Sequence, residues 1–557
     1  MVRIILNKIK YYSFLFILIF FSCYNIFSNS FKDLSNAFYK WYIERNPNTF
    51  NIIDPYIIYE KNMYGESDYI EQSILDLKRF KLELLQISKK KLNLQDKLKY
   101  NSIIRKIDEM LYNNMELKNF YWDVSYYSNI SYNHFSNLLF NKDITDEQKS
   151  IYISETLELI PKYFNRIKKY INKSTELSLK ESNNDINKIL HLIDSIHLYV
   201  NTDDYTYELI EKKSKKTKKR LVEYLEHIKT IKIDNNILSD EYRFNNSYKN
   251  KLYEIQKDFG DMQLIETVRH NIKNLQNKIF SLSLDIYLRD NDEPIWIDRE
   301  DTLDVIIKVV KNMNKSNNRI KDFDSNIIRF EEYKNEVLEF IDKKQIIDID
   351  NFNISYFDNK NIFHDINNDI ELFHYIKNQQ INIFYDNRTS NNTEVNSLLI
   401  ENIIPMRILN LQQKPIIYKD SNLLYTWGKI LSRIMIDNGF DQIDSNYELH
   451  YNLNLLNDLV MILIEYEYYI ENISMNEAVA KITQNSFINI EYAKILWNKI
   501  ISSNTFLINK YTNWQYLNYL YDYNCIINKK LSSSDFVKKM FKNGFIAIEN
   551  YQDLLNY

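Results

Sequence analysis

Apolar residues recur every three or four positions along most of the chain. In 151–171, Ile153, Leu157, Ile160, Phe164, Ile167 and Ile171 fall on one side of a helix. In 264–282, Leu264, Val268, Ile272, Leu275, Ile279 and Leu282 do the same. Thr145-x-x-Gln148 precedes the first stretch, and Ser474-x-x-Glu477 precedes Ala478, Val479 and Ile482. Both read as capping boxes. The same spacing predicts helices near 69–87, 92–114, 187–199, 218–230, 301–313, 421–438, 447–470, 490–503 and 534–543. One region breaks the pattern. Residues 345–395 are rich in Asn and Asp, with short apolar islands, of which Ile381-Asn382-Ile383-Phe384-Tyr385 is the best strand candidate. No fixed-period repeat and no Pro- or Gly-rich linker interrupts the chain. The expectation is a mainly α protein: one large helical body, in one lobe or two, with a small sheet around 345–395.

The N-terminus obeys different rules. Arg3, Lys8 and Lys10 lead into an apolar run, Tyr11 to Phe21, broken only by Ser13. That run is about half of the ~20 residues needed to cross a bilayer. Residues 1–22 therefore read as an export signal rather than an anchor. The signal ends Phe20-Phe21-Ser22-Cys23, which resembles a relaxed bacterial lipobox. Cleavage there leaves Cys23 first, acylated on its thiol and amine, with 23–30 as a short tether. The partner implied is a lipid bilayer, and the location is the cell envelope outside the cytoplasm. The alternative is a plain secretory signal with Cys23 incidental.

Composition then removes whole classes of function. Among 557 residues, 71 Lys plus Arg face 75 Asp plus Glu, a net charge of −4, which argues against a nucleic-acid partner. The five glycines (Gly65, Gly260, Gly428, Gly439 and Gly544) are too dispersed to build a phosphate-cradling loop. The two cysteines, Cys23 and Cys525, make neither a thiolate metal site nor a disulfide framework. Cys525 reads as a buried inert thiol. No two of the eight histidines are spaced H-x-x-x-H, and no G-x-S-x-G nucleophile elbow occurs. Glu465 and Glu467 sit in the otherwise apolar run Leu459 to Tyr469. Two apart, they cannot share a helical side, so one is expected to face the interior and to need a partner there.

Several segments, taken in order, resemble a known family. Phe38-Tyr39-Lys40-Trp41-Tyr42 with Arg45-Asn46-Pro47, Leu159-Ile160-Pro161-Lys162-Tyr163-Phe164, Phe384-Tyr385-x-Asn387, Asn472 to Ala478, Gln515-x-Leu517-x-Tyr519, and Phe536 to Leu555 match its segments in spacing and sequence. The family is the bacterial domain of unknown function 885, whose members are large, mostly helical, often exported or lipid-anchored, and regarded as zincin-like metallopeptidases. The resemblance covers nearly all of 31–557 and implies a zincin-like, carboxypeptidase-like body with the sheet beside the active-site cleft. It also implies zinc, held by histidines of an HExxPGHHLQ motif and completed by the glutamate of a following EGW.

This chain departs from the family where its chemistry lies. The first motif reads Glu401-Asn402-Ile403-Ile404-Pro405-Met406-Arg407-Ile408-Leu409, and the second Tyr425-Thr426-Trp427. Proline and tryptophan are kept, but the histidines and the metal-binding glutamate are not. Asn402 cannot take a proton from water at neutral pH, Ile408 offers no lone pair, and Arg407 repels a divalent metal. The remaining cleft positions are Glu401, Asn402, Arg407, Tyr425, Glu465, Tyr469, Gln515 and Tyr519, with Arg407 expected to form an internal salt bridge to Glu401 or Glu465. With no cofactor expected, the leading reading is a non-catalytic, metallopeptidase-like envelope lipoprotein that binds peptide or protein. One alternative is an active metal-dependent hydrolase with remodelled ligands, such as His364, His374 or His450. The other is a structural or surface-interaction lipoprotein whose cleft is packed shut.

Overall fold

Helix starts coincide with the side chains that satisfy their free amides. Thr145 accepts the Gln148 amide at 3.2 Å, and Ser474 forms a full capping box with Glu477. In the computed structural model, the described residues are 31–46, 53–61, 67–141, 144–234, 248–249, 252, 264–290, 301–315, 323–358, 371–373, 381–385, 392–411, 421–502, 507–542, 546 and 548–556. The signal, Cys23 and the tether, with His364 and His374, lie outside them.

The body is mainly α, as the periodicity predicts. Helices α1 (Phe31–Arg45), α2 (Ser67–Leu85) and α3 (Leu94–Tyr112) close on a core of Phe38, Leu77, Phe80, Leu84 and Ile103. Next, α4 (Val124–Phe140), α5 (Asp146–Ile167), α6 (Glu176–Asp194) and α7 (Asp204–Ile228) surround a second core that includes Tyr127, Phe135, Ile160 and Leu221. A two-residue parallel pair, β1 (Lys173–Ser174) with β2 (Lys232–Ile233), ties the end of this unit together. Pro161 lies inside α5 and has no N–H to offer the Leu157 carbonyl one turn back. The Thr217 hydroxyl of α7 donates to that carbonyl instead, so the gap in the ladder becomes a contact between helices.

The third and largest core takes the rest of the chain. Helices α8 (Leu264–Asp290), α9 (Asp301–Lys315) and α10 (Phe323–Lys343) lead to a three-stranded sheet of β3 (Ile354–Asp358), β4 (Glu371–Phe373) and β5 (Ile381–Tyr385), in the order β3-β5-β4. β3 runs parallel to β5 with Ile354 opposite Ile381, and β4 runs antiparallel with Leu372 opposite Ile383. Then come α11 (Asn392–Leu398), α12 (Ile404–Leu411), α13 (Ser421–Asp437), α14 (Tyr447–Tyr466), α15 (Met475–Ser486), α16 (Ile490–Ser502), α17 (Leu507–Tyr521), α18 (Ser533–Phe541) and α19 (Tyr551–Asn556). The first and last parts of the chain meet where Asn101 donates to Asn550 at 2.6 Å.

Of the five π-helical turns among the described residues, two lie beside the expected cleft positions. One, Leu399–Ile403, joins α11 to α12, and the other, Glu467–Glu471, ends α14. A π-turn adds a residue and rotates the side chains beyond it around the helix axis. The expectation of one inward carboxylate at 465 and 467 is exceeded, because this end of α14 is packed on more than one side. Both are buried, at 2% and 1% exposure, and Glu467 pairs with Arg269 at 3.1 Å and Lys481 at 2.7 Å.

Candidate functional site

The Leu399–Ile403 turn crosses α13 at Gly428. A Cβ there would stand 2.1 Å from the Glu401 carbonyl oxygen, so only glycine allows this approach. The crossing brings Glu401 against the inward stripe of α13, where Tyr425, Lys429 and Ser432 recur at helical spacing. Lys429 Nζ meets Glu401 Oε2 at 2.8 Å, with side chains only 3% and 12% exposed. Ser432 Oγ lies 3.2 Å from the other carboxylate oxygen and 2.7 Å from the Tyr447 hydroxyl. The ammonium also stands over the rings of Tyr425 and Tyr451, at 5.6 and 5.5 Å. A desolvated cation is thus held by one carboxylate and two aromatic faces.

Helix α14 supplies the opposite wall. The Tyr425 hydroxyl donates to Asp458 Oδ2. Burial raises the Asp458 pKa, while Lys429, the Tyr425 hydroxyl and Lys510 pull it back. Lys510, on α17, lies 5.4 Å from the Tyr425 ring centre. His450 is pushed down to about 4 by burial and by Lys429, and its Nε2 sits 2.9 Å from the Asn454 amide nitrogen. It is a neutral imidazole at physiological pH. Tyr425, His450, Asn454, Asp458 and Lys510 all remain partly accessible. Together they form a polar cluster that reaches the surface at these partly exposed side chains.

The other motif positions go elsewhere. Glu465 lies two turns beyond Asp458 on α14, in a second, drier pocket. It accepts from the Tyr248 hydroxyl at 3.2 Å and from the Leu507 amide at 3.2 Å. Burial pushes its pKa up to about 8, against those two bonds, the Ile508 amide and the more distant Lys510. Tyr469 stacks on Tyr248 at 4.8 Å and closes this pocket. Arg407 is buried, with its guanidinium 5.7 Å from the Phe352 ring centre and its charge near Asp350. The cation facing Glu401 is Lys429, not Arg407, and Glu465 is met by a hydroxyl and two amides. Asn402 and Gln515 are half-buried. Tyr519 is 57% exposed and stacks on Tyr523 at 5.9 Å, so it belongs to the surface. Cys525 is half-buried, with its thiol pushed up to about 11 by burial, in keeping with an inert cysteine.

Sequence reasoning missed Lys429, Asp458 and Lys510. The first had a signal: a lysine between Trp427, Ile430 and Leu431, on a helix buried nearly all round. Such a lysine needs an acid inside the molecule. A zinc ion does not fit the residues present. The Glu401 carboxylate already holds an ammonium, Arg407 and Ile408 offer no donor, and the described residues contain no group of three His, Cys, Asp or Glu placed to hold a metal. The cations present, Lys429 and Lys510, stand instead beside the Tyr425 ring, with Asp458 bound by the Tyr425 hydroxyl.

The fold defines a class: large, mainly α bodies with a small sheet. No family model matches the chain, and no curated protein does. Solved structures do. A "putative lipoprotein of unknown function" from Shewanella oneidensis is similar at TM-score 0.66 and 14% identity, over 95% of this chain and 100% of that one. A "putative lipoprotein" from Colwellia psychrerythraea is similar at TM-score 0.69 and 9% identity, over 95% of this chain and 99% of that one. At these identities the shared property is the fold.

Proposed function

We propose that this chain is an envelope lipoprotein whose body is a non-catalytic relative of zincin-like peptidases, with the polar cluster around Lys429 serving to bind peptide or protein. The observation that carries this reading is the Lys429–Glu401 pair. A fixed ammonium occupies the carboxylate at the motif where the resembled family places its metal ligands. With Glu401 matched by this ammonium, no free carboxylate is left there for a divalent cation, and Lys510 beside the Tyr425 ring is the cation open to a polar or anionic partner group. The lipobox-like Phe20-Phe21-Ser22-Cys23 supports the anchor. The two structural neighbours support it further, since both are described as lipoproteins. The partial accessibility of Tyr425, Asp458 and Lys510 favours a binding site over a cleft packed shut.

The test is metal content of the purified protein by elemental analysis, paired with a broad peptide-cleavage screen. Less than a tenth of an equivalent of zinc and no turnover are the expected results. Stoichiometric zinc that disappears in Glu401→Ala, with cleavage lost alongside, would overturn the non-catalytic reading. Mass spectrometry of the N-terminal peptide tests the anchor separately: acylated Cys23 is expected, and Cys23→Ala should abolish the modification.

A further inference from the structure

The first three helices carry a surface unrelated to that cluster. Helix α2 buries Leu77, Phe80 and Leu84 and turns Leu75, Leu82 and Leu85 outward at 60%, 63% and 60% exposure. At 3.6 residues per turn these three leucines share a side, with exposed Lys78 among them. The chain then passes through Lys89, Lys90 and Lys91, all exposed. Among the described residues, the ion pairs of this hairpin (Arg45–Asp76, Arg79–Asp76, Arg79–Glu83, Lys81–Asp108 and Lys106–Glu109) leave those three lysines aside. Exposed leucines beside lysines match the acyl boundary and the anionic headgroups of a membrane surface.

The register of the hairpin shows where the chain enters. Arg45 donates to Ser73 at 2.7 Å, Trp41 to Asp76 at 3.0 Å, and Phe38 packs on Phe80 at 5.4 Å. Each step back along α1 is a step forward along α2. Continuing it places Phe31 beside the end of α2, next to the lysine turn. Phe31 also packs on Tyr100, in the second turn of α3, the helix that leaves that turn. Cys23 precedes Phe31 by eight residues, a reach of at most about 28 Å.

We infer that the leucine–lysine end of α2 is a membrane-contact face, resting on anionic headgroups of the bilayer to which acylated Cys23 ties the chain. This rests on the lipoprotein reading proposed for the chain. The acyl chains hold the protein to the membrane, and the face fixes how the body stands on it. Helix α7 provides a contrast. It carries more cations, including Lys212, Lys216 and Lys219, in a run flanked by Glu208 and Glu211 before it and Glu223 and Glu226 after it, but it belongs to the second core. Basic charge alone would favour α7; chain entry favours α2.

The test uses the full acylated chain in vesicles of phosphatidylcholine with one-third phosphatidylglycerol. Exposed lysines are acetylated with a water-soluble ester and read by mass spectrometry, with detergent-solubilised protein as reference. Labelling at Lys89–Lys91 should fall at least fivefold in vesicles, and labelling at Lys212, Lys216 and Lys219 should stay within twofold. The protection should vanish in 0.5 M salt and in a Lys89→Gln, Lys90→Gln, Lys91→Gln, Leu82→Ser variant, read at Lys78. These are all surface positions, so the variant should unfold at the wild-type temperature. Acylated Cys23 with unprotected Lys89–Lys91, or protection at α7 instead, would overturn this inference alone. An unmodified Cys23 would overturn the lipoprotein reading and this one with it.

Discussion

Glu401 and Glu465 are both interior carboxylates among the expected cleft positions, yet the protein accommodates them by opposite means. Glu401 meets a lysine at 2.8 Å and a serine hydroxyl, in a cluster that keeps some contact with water. Glu465 meets a phenol and the Leu507 and Ile508 amides in a dry pocket, and its pKa of about 8 leaves it mostly protonated at neutral pH. A buried acid needs either a countercharge or its proton. The first solution leaves a field that outside groups can feel, and the second leaves a packing element. The binding reading therefore centres on Glu401 and Lys429, although both acids were expected to line the cleft.

The sharpest break in the comparison is to remove the countercharge. Lys429→Met leaves a carboxylate in the cluster without its cation, and loss of one partner from a buried pair costs about 3–5 kcal/mol. Urea unfolding should show that loss, and Lys429→Met with Glu401→Gln should recover most of it. A single-variant loss under about 1 kcal/mol would mean that Ser432 and water suffice for Glu401.

Glu465 should behave differently, and pH is the probe. Its folded pKa lies above its ordinary value of 4.5. The protonated form is thus the one the fold prefers, and the associated stability is complete below about pH 4.5 and is lost as pH rises through about 8. Glu465→Gln keeps the shape and removes the titration. At 1.36 kcal/mol per unit of pKa, the variant should gain about 3–4 kcal/mol on wild type between pH 5 and pH 9. Parallel pH curves for the two proteins would place Glu465 with Glu401 among the charge-paired acids.

Gly428→Ala sharpens the geometric half of the contrast. A methyl 2.1 Å from a backbone oxygen cannot be absorbed by side-chain rotation. The turn and α13 must separate, at a cost of about 1–3 kcal/mol. Stretching the Lys429–Glu401 contact should also shrink the further effect of Lys429→Met in the double variant. Full additivity would place the pair outside the crossing's control.

These regions also show how far a sequence can be read. Ends and faces of amphipathic helices such as Asp146–Ile167 and Leu264–Asp290 were legible because one side is water and the other is core. Helix α4 was not. Its accessible stripe is narrow, Asn129, Asn133 and Asn137, while Ser128, Ser131 and Ser136 are buried with Tyr127, Phe135 and Leu138, so polar residues fall on both sides and blur the period. The strand at Ile381–Tyr385 was legible from its isolation, whereas β4 has three residues and too little pattern. In the site, lost metal ligands could be read position by position. What replaced them could not, because the Lys429–Glu401 contact depends on a π-turn and on one glycine at a crossing. Tyr519 was misplaced for a related reason: helical spacing gives a side of α17, but only packing says which side is wet.

The smallest effect tests whether the second pocket holds its acid by hydrogen bonds or by exclusion of charge. Tyr248 donates to Glu465 and stacks on Tyr469, so Tyr248→Phe removes the hydroxyl and keeps the ring. While Glu465 is protonated, the loss is that of one ordinary hydrogen bond, about 1 kcal/mol at pH 6. Once Glu465 ionises, the same hydroxyl serves a charged acceptor, and the difference from wild type should widen to about 1.5–3 kcal/mol at pH 9. The hydroxyl also lowers the Glu465 pKa, so the variant should titrate at higher pH than wild type. A cost that does not change from pH 6 to pH 9 would mean the phenol contributes only packing, and that burial alone keeps the proton on Glu465.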